Sequence, residues 1–219
     1  MEYKNLIGGA INDKSRVYNC DCMDLLKQTP DNYYSLALVD PPYGIDWMEQ
    51  IKNPNIKANW KLYDKKDWDK NIPQKEYFEE LFRVSQNQII WGGNYMTDYL
   101  HPSSCWIIWD KMQEFDGAVF EMAWTSFKSP AKAFRMSRIE AYSNGKIHPT
   151  QKPVALYEWL LMNYAKEGDR ILDTHLGSGS SRIAAHKLGF EFVGCELDKD
   201  YFEAQEERFR LEPSQLDLF

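Results

Sequence analysis

The segment Ile171-Leu-Asp-Thr-His-Leu-Gly-Ser-Gly-Ser180 combines a short apolar run, a turn with two glycines and the start of a helix. The apolar run ends at Asp173, and Gly177 and Gly179 let the backbone come close to a ligand before the next helix begins. The segment lacks the complete six-residue dinucleotide fingerprint and the Lys-Ser/Thr of a P-loop. The pattern therefore predicts either a site for a nucleoside-containing cofactor or only a tight strand-to-helix turn.

Further short apolar runs predict the other strands of a buried, mostly parallel sheet. Most of them stop at an acidic residue or at glycine, as buried parallel strands do before a turn. Helical patterns lie between or after these runs, and this alternation is typical of an α/β layer fold. The predicted strands are Ser35–Val39, Asn87–Trp91, Cys105–Trp109, Arg170–Asp173 and Phe190–Cys195, and the predicted helices are Pro153–Ala165, Ser180–Leu188 and Lys199–Leu211.

Acidic residues follow four of these strands: Asp40, Asp110, Asp173 and Glu196. In an open α/β sheet the ligand crevice lies outside the carboxyl ends of the strands. Acids at that edge favour a ligand with amines and hydroxyls over one with phosphates. Glu196 follows Asp173 by 23 residues, about where an acid that binds ribose hydroxyls belongs. Aspartate is also a common helix cap, so acids alone are a weak signal.

The tetrapeptide Asp40-Pro-Pro-Tyr43 is a sharper signal than the acids alone. Two prolines fix the backbone and remove two N–H donors, which leaves a rigid set of carbonyl acceptors. Asp40 adds a side-chain acceptor and Tyr43 adds a flat ring. Two acceptors beside a stacking ring suit an exocyclic amine on a planar base, and the alternative is a Pro-Pro turn that only closes a buried strand.

Composition sets the class of the protein. With 219 residues, 43% hydrophobic and 15% aromatic, the chain predicts one folded domain over residues 1–219 and excludes disorder as its main state. The net charge of −7 does not by itself suggest a nucleic-acid binder. No apolar stretch is long enough for a membrane span, and the first residues lack a signal-peptide core. The cysteines are too few and scattered for a disulfide scaffold and are interpreted as reduced, which predicts a cytoplasmic location: Cys20, Cys22, Cys105 and Cys195.

Residues 46–74 lack hydrophobic periodicity and contain two prolines. From Trp47 to Lys75, seven lysines outnumber one Glu and three Asp, whereas the last part of the chain is acidic. Long segments without secondary structure in compact domains are usually functional or disordered. We therefore expect a long mobile loop here, on a locally basic face, although two ordinary solvated surfaces would give the same charge pattern.

Together, Asp40-Pro-Pro-Tyr43 and Asp173-Thr-His-Leu-Gly-Ser-Gly179 resemble the DNA amino-methyltransferases. These enzymes methylate exocyclic nitrogens of adenine or cytosine with S-adenosylmethionine. The catalytic tetrapeptide precedes the cofactor loop, which resembles the permuted β group of that family. Further segments look like the family's other motifs in the same order: Tyr18–Leu26, Ile90–Tyr95, Trp109–Lys111 and His148–Pro153.

The resemblance implies a Rossmann-like methyltransferase fold, a mostly parallel sheet with helices on both faces and circularly permuted motifs. Its catalytic corner would comprise Asp40, Pro41, Pro42 and Tyr43. Asp40 and the Pro41 carbonyl would accept the two amine protons, and Tyr43 would stack on a base extruded from DNA. Aspartate in the first position leans toward adenine N6, with cytosine N4 as the alternative.

The resemblance also assigns the cofactor site. The methionine moiety would lie against Asp173, Gly177, Ser178 and Gly179, while Glu196 would bind the ribose hydroxyls. The cofactor's adenine would border Asp21 and Cys22, and its carboxylate would meet Thr150 and Lys152. His148 is interpreted as a packed or capping histidine, and the sequence indicates no metal site.

DNA recognition is less well defined by the sequence. Only about 25 residues separate Glu121 from His148, where β-group members often carry a target-recognition region. Recognition would then come from residues 46–74 and from a minimal segment over 111–147. A homodimer is implied by resemblance, and the biological role, in restriction-modification or elsewhere, stays open.

The tail over residues 212–219 contains a second feature. Gln215-Leu-Asp-Leu-Phe219 resembles the pentapeptide by which many bacterial proteins dock on the replicative sliding clamp. Its anchors would be Gln215, Leu216, Leu218 and Phe219. The alternatives are a tail that folds back on its own core and, for the whole chain, a non-catalytic DNA- or clamp-binding module that keeps the fold.

Overall fold

The structure is a computed structural model that describes residues 7–12, 14–45, 69–112, 118–143 and 145–214. Within these ranges nine strands form one sheet in the order β1-β2-β9-β8-β3-β4-β6-β5-β7. The strands are β1 (Ile7–Asn12), β2 (Ser15–Asn19), β3 (Tyr34–Val39), β4 (Ser85–Trp91), β5 (Trp106–Asp110), β6 (Phe120–Thr125), β7 (Lys132–Arg135), β8 (Arg170–Asp173) and β9 (Glu191–Glu196). The helices are α1 (Cys22–Gln28), α2 (Lys75–Val84), α3 (Arg138–Ala141), α4 (Val154–Tyr164), α5 (Ser180–Lys187) and α6 (Lys199–Ser214), with a 3-10 turn at Gly93–Tyr95.

The sheet is mostly parallel, as the sequence predicts. β2, β9, β8, β3 and β4 run parallel to one another, and β5 pairs in parallel with β7. All five predicted strands are present, with ends that differ by at most two residues from the predicted ones. The sequence did not predict β6, which lies antiparallel between β4 and β5. Its first half is exposed or half-buried, so it lacks the continuous apolar run that identifies a central strand.

Helices cover both faces of the sheet. Side chains alternate along β3, so that Leu36 and Leu38 pack into one cluster with α4 and α5. Ala37 and Val39 pack into a second cluster with α1 and α2. This three-layer arrangement confirms the predicted helices on both faces and leaves the carboxyl ends of the central strands open to a ligand.

Several predicted features fall outside the described residues. They are most of the proposed loop (46–68), part of the proposed recognition segment (113–117, 144) and the pentapeptide 215–219. The described end of the loop contacts the tetrapeptide, because the Asp69 carboxylate accepts the backbone N–H groups of Tyr43 at 2.8 Å and Gly44 at 3.1 Å. All four cysteines are free thiols. In the described part of the chain, no helix is both long and apolar enough to cross a membrane.

Candidate active site

A cavity of about 1150 Å³ opens at the carboxyl ends of β2, β3, β8 and β9. It joins the Asp-Pro-Pro-Tyr corner after β3 to the glycine loop after β8, two features that are far apart in the sequence. Among the residues predicted for the site, those that line it are Asp21, Cys22, Asp40, Pro42, Thr150, Lys152, Gly177, Ser178 and Glu196. Four other predicted residues are not among its lining residues in the described structure: Pro41, Tyr43, Asp173 and Gly179.

The glycine loop is held by Glu196 at the end of β9. One carboxylate oxygen of Glu196 accepts the Gly177 N–H at 2.8 Å, and the other accepts the Asp198 N–H at 2.9 Å. Gly177 has φ of +50°, a conformation that side chains with a Cβ rarely adopt. Burial raises the pKa of Glu196, and the two N–H groups oppose this effect. Glu196 thus organises the loop and also borders the cavity, where its oxygens keep lone pairs for a ligand.

Asp173 lies beneath this loop. It is 1% exposed and accepts hydrogen bonds from the Ser181 hydroxyl at 2.5 Å and the His175 N–H at 3.0 Å. Burial raises the pKa of Asp173 to about 7, although both hydrogen bonds favour the charged form. The structure therefore gives Asp173 a supporting position behind the cavity wall.

A further part of the cavity wall includes Asp21, which caps α1 by accepting the Met23 N–H at 2.8 Å. Burial, with the nearby Asp21 charge, raises the pKa of the Cys22 thiol to about 12, so this group is a neutral part of the wall. Tyr77 of α2 completes the wall with a hydroxyl 2.7 Å from Thr174 Oγ1. Sequence analysis missed Tyr77 because α2 was not predicted.

His148 and Thr150 line the cavity near the start of α4. The Thr150 hydroxyl lies 3.2 Å from His148 Nδ1, and the His148 ring packs edge-on against Tyr201 with 4.3 Å between centroids. His148 is 9% exposed, in keeping with the predicted packed histidine. In the described part of the chain, no group of three or more His, Cys, Asp or Glu side chains is arranged to hold a metal ion.

At the tetrapeptide, both carboxylate oxygens of Asp40 are engaged. One oxygen accepts the Tyr43 hydroxyl at 2.7 Å, and the other accepts the Lys152 ammonium. The Tyr43 ring stacks on Tyr95, with 5.3 Å between centroids and an interplanar angle of 18°. One face of the Tyr43 ring is thus covered by Tyr95, which is 47% exposed.

Lys152 has partners that differ from the predicted one. Its ammonium lies 3.1 Å from the Tyr43 hydroxyl and 3.2 Å from Glu121, in addition to its contact with Asp40. Burial alone would lower the pKa of Lys152, but Asp40 and Glu121 raise it, so the side chain stays charged. Lys152 also lines the cavity, and its assignment to the cofactor's carboxylate stays a prediction.

Glu121 connects Lys152 to the β5–β6 turn, because its other oxygen lies 2.7 Å from the Lys111 ammonium. Burial would raise the pKa of Glu121, but Lys152 and Lys111 lower it to about 2. No local sequence pattern marks Glu121 or Lys111 as a site residue, since Glu121 reaches Lys152 only through the pairing of β6 in the sheet.

Comparisons with known proteins show what this chain is similar to. A sequence model of the N6/N4 DNA methylase family matches residues 97–207. The type II methyltransferase M2.DpnII of Streptococcus pneumoniae is 30% identical over 71% of this chain, and the aligned part spans only 54% of that protein's length. M2.MboI of Moraxella bovis, also a type II methyltransferase, is 24% identical over 88% of this chain and 86% of its own. The structure of M1.HpyAVI in complex with SAM superposes with a TM-score of 0.59 at 18% identity and covers 89% of this chain and 99% of that one.

Proposed function

The chain belongs to the N6/N4 DNA methylase family, and on that basis we propose that it transfers a methyl group from S-adenosylmethionine to the exocyclic amine of a DNA base. The observation that carries this proposal is the continuous cavity between the Asp40–Pro42 corner and the Gly177–Ser178 loop. A methyl donor and an acceptor amine have to meet in one space. A cavity of about 1150 Å³ is larger than the range common for small-ligand pockets and has room for a cofactor together with a base.

The hydrogen-bonding groups that line the cavity suit this cofactor. Carboxylates of Asp21 and Glu196 can accept hydrogen bonds from the cofactor's amine and hydroxyl groups. The left-handed backbone at Gly177 allows close approach of a ligand to the loop. When bound, S-adenosylmethionine supplies an electrophilic methyl group on a sulfonium.

The residues of the tetrapeptide act on the acceptor amine. The lone pair of an adenine amino group is delocalised into the ring, so the nitrogen is a weak nucleophile. Asp40 and the Pro41 carbonyl accept hydrogen bonds from the two N–H groups of the amine, which pulls the nitrogen toward tetrahedral geometry and frees its lone pair. Both acceptors sit on a corner fixed by two prolines, so orientation contributes much of the rate.

We propose that DNA contacts residues 46–74 and 111–147. A base inside a duplex hides its amine, so the enzyme must turn the nucleotide out at a cost of about a few kcal/mol. Large apolar side chains at the β5–β6 turn and α3 are exposed: Met112 at 62%, Phe120 at 46% and Ile139 at 81%. Lys111, beside Met112, is connected to Asp40 through three successive ion pairs, and we therefore propose that these apolar side chains border the entrance for the base.

The expected product is N6-methyladenine. The protein, incubated with unmethylated DNA and labelled S-adenosylmethionine, should transfer label to DNA, and digestion to nucleosides followed by mass spectrometry identifies the methylated base. Support for adenine comes from the Asp at the first position of the tetrapeptide. A label found only on cytosine N4 would establish the alternative, and DNA without label in every sequence context would contradict the function itself.

We further propose that Gln215–Phe219 docks on the sliding clamp. Deletion of these five residues should abolish co-elution with the clamp and leave methyl transfer to short duplexes unchanged, because no residue assigned to catalysis or to the cofactor lies in the pentapeptide. Replacing Leu218 and Phe219 with alanine should have the same effect. Asp217→Ala, which changes no proposed anchor, is the control. Co-elution retained by the deletion variant would rule out this interaction. The homodimer stays a prediction, which sedimentation of the purified protein measures.

A further inference from the structure

Lys152 is at the centre of a buried chain of alternating charges. The chain runs from Lys111 through Glu121 and Lys152 to Asp40, and every link is an ion pair. The Lys152 side chain is 2% exposed, and the Asp40 side chain is 16% exposed. Two cations and two anions make the group formally neutral, which reduces the free-energy cost of burying it.

Each N–H donor of the Lys152 ammonium has an oxygen acceptor nearby. An ammonium has three N–H donors, and three oxygens surround this one: a carboxylate oxygen of Asp40, the Tyr43 hydroxyl and a carboxylate oxygen of Glu121. The ammonium also lies over the ring of Trp91, 5.1 Å from its centroid. Its hydrogen-bonding capacity is thus used within the corner.

Asp40 needs a cation at this position to remain an acceptor. A carboxylate accepts hydrogen bonds only, whereas a protonated carboxyl presents an O–H donor toward the amine it should bind. Burial raises the pKa of Asp40, Lys152 opposes this rise, and the charge of Glu121 adds to it. A carboxylate has about four lone-pair sites, so Asp40 can hold Tyr43 and Lys152 and still accept a proton of the amine.

We propose that Lys152 is a positioning residue for Asp40 that keeps the carboxylate charged and oriented toward the acceptor amine. This inference rests on the proposed methyl transfer and deepens it. It differs from an assignment of Lys152 to the cofactor's carboxylate, because it predicts effects on the catalytic carboxyl and not on cofactor binding.

Two substitutions should move the ionisation of Asp40 in opposite directions. Lys152→Met removes the cation and should raise the titration midpoint of the Asp40 carboxyl by at least about one pH unit. Glu121→Gln removes a repelling anion and should lower the midpoint by a smaller amount. In Lys152→Met, Glu121 keeps its Lys111 partner, so Asp40 is the group left without a cation. The titratable groups that face or interact with Asp40 are Lys152, Glu121, Tyr43, Tyr157 and Asp173.

The measurement is an NMR titration of aspartate carboxyl carbons in the full chain, with the Asp40 signal assigned by its absence from Asp40→Asn. This readout needs neither cofactor nor activity, so it decides the role of Lys152 even if the protein methylates no DNA. An Asp40 midpoint that is the same in Lys152→Met and wild type would overturn the proposal. Lys152→Gln, which also removes the cation but keeps a polar side chain, keeps the proposal testable if Lys152→Met does not fold, because an Asp40 midpoint that falls or stays fixed in that variant contradicts it.

Kinetics provide a second readout. In Lys152→Met, the acidic limb of the kcat profile should move to higher pH, kcat at pH 7 should fall by about tenfold or more, and cofactor affinity should stay within about threefold of wild type. Loss of cofactor affinity with an unchanged kcat at saturating cofactor would instead assign Lys152 to the cofactor's carboxylate and refute the positioning role.

Discussion

Asp40→Ala is expected to abolish methyl transfer while the protein still folds and binds S-adenosylmethionine. Asp40 is the side-chain acceptor at the corner, and it lies at the end of the cavity that borders the tetrapeptide. Without it, one amine proton loses its acceptor and the nitrogen loses its alignment with the methyl group. We expect kcat to fall by about 10³-fold or more, with cofactor affinity within about threefold of wild type. The measurements are transfer of labelled methyl to DNA and calorimetric titration with the cofactor.

Controls separate the chemical role of Asp40 from its structural role. In Asp40→Ala, Lys152 keeps Glu121 as an ion-pair partner at 3.2 Å, so its charge is not left unpaired. Asp40→Asn retains one acceptor oxygen and should keep more activity than the alanine variant. Asp169→Asn is the matched surface control, because Asp169 lies in the turn before β8 and accepts the Lys166 N–H. Methyl transfer by Asp40→Ala at the wild-type rate would refute its assigned role and would point to a different set of catalytic residues.

Gly92→Ala is expected to damage the same corner without changing any polar group. Gly92 has φ of +68°, and a Cβ there would lie 2.1 Å from a ring carbon of Tyr43. Tyr43 would have to move, although its hydroxyl donates to Asp40 and its ring stacks on Tyr95. We expect a stability loss of about 2–4 kcal/mol from strain and overpacking together, and a fall in kcat of about 10²-fold. Denaturant unfolding and the methyl-transfer assay measure the two effects.

Gly168→Ala is the matched control for the backbone strain. Gly168 also has a left-handed conformation, with φ of +85°, but a Cβ there meets nothing within 4 Å. The free energy of unfolding of this variant should fall only by the cost of the left-handed conformation, about 1–2 kcal/mol, and its kcat should equal that of wild type. Equal losses of stability and activity in the two variants would show that contact between residue 92 and Tyr43 has no part in the function.

Gly92 belongs to a recognisable sequence motif, but the motif does not explain why a glycine is needed at this position. Residues 90–95 resemble a segment of the family, but the resemblance does not say what Gly92 does. The cause is a long-range contact, because the Tyr43 ring fills the space where a side chain of residue 92 would stand. Spacing along the chain contains no information about that contact.

For some predicted site residues the position follows from local sequence pattern, and for others it depends on long-range contacts. Asp40 and the 177–179 loop follow apolar strands, and parallel strands place their carboxyl ends on one edge, so their proximity follows from local pattern and fold class. Lys152 was selected by resemblance, yet its ion pairs with Asp40 and Glu121 place it at the catalytic corner. Tyr43 was expected to face a base, and its ring is stacked on Tyr95.

Local sequence patterns were enough to identify the family, the α/β class and the central parallel strands, because continuous apolar runs and proline- and glycine-containing turns are local properties of the chain. The groups that surround Asp40 are instead set by long-range contacts of the fold. β6 has no strong strand pattern of its own and enters the sheet by antiparallel pairing with β4 and β5. That pairing brings Glu121 to Lys152, and such a contact depends on the register of distant segments, which short-range residue preferences do not specify.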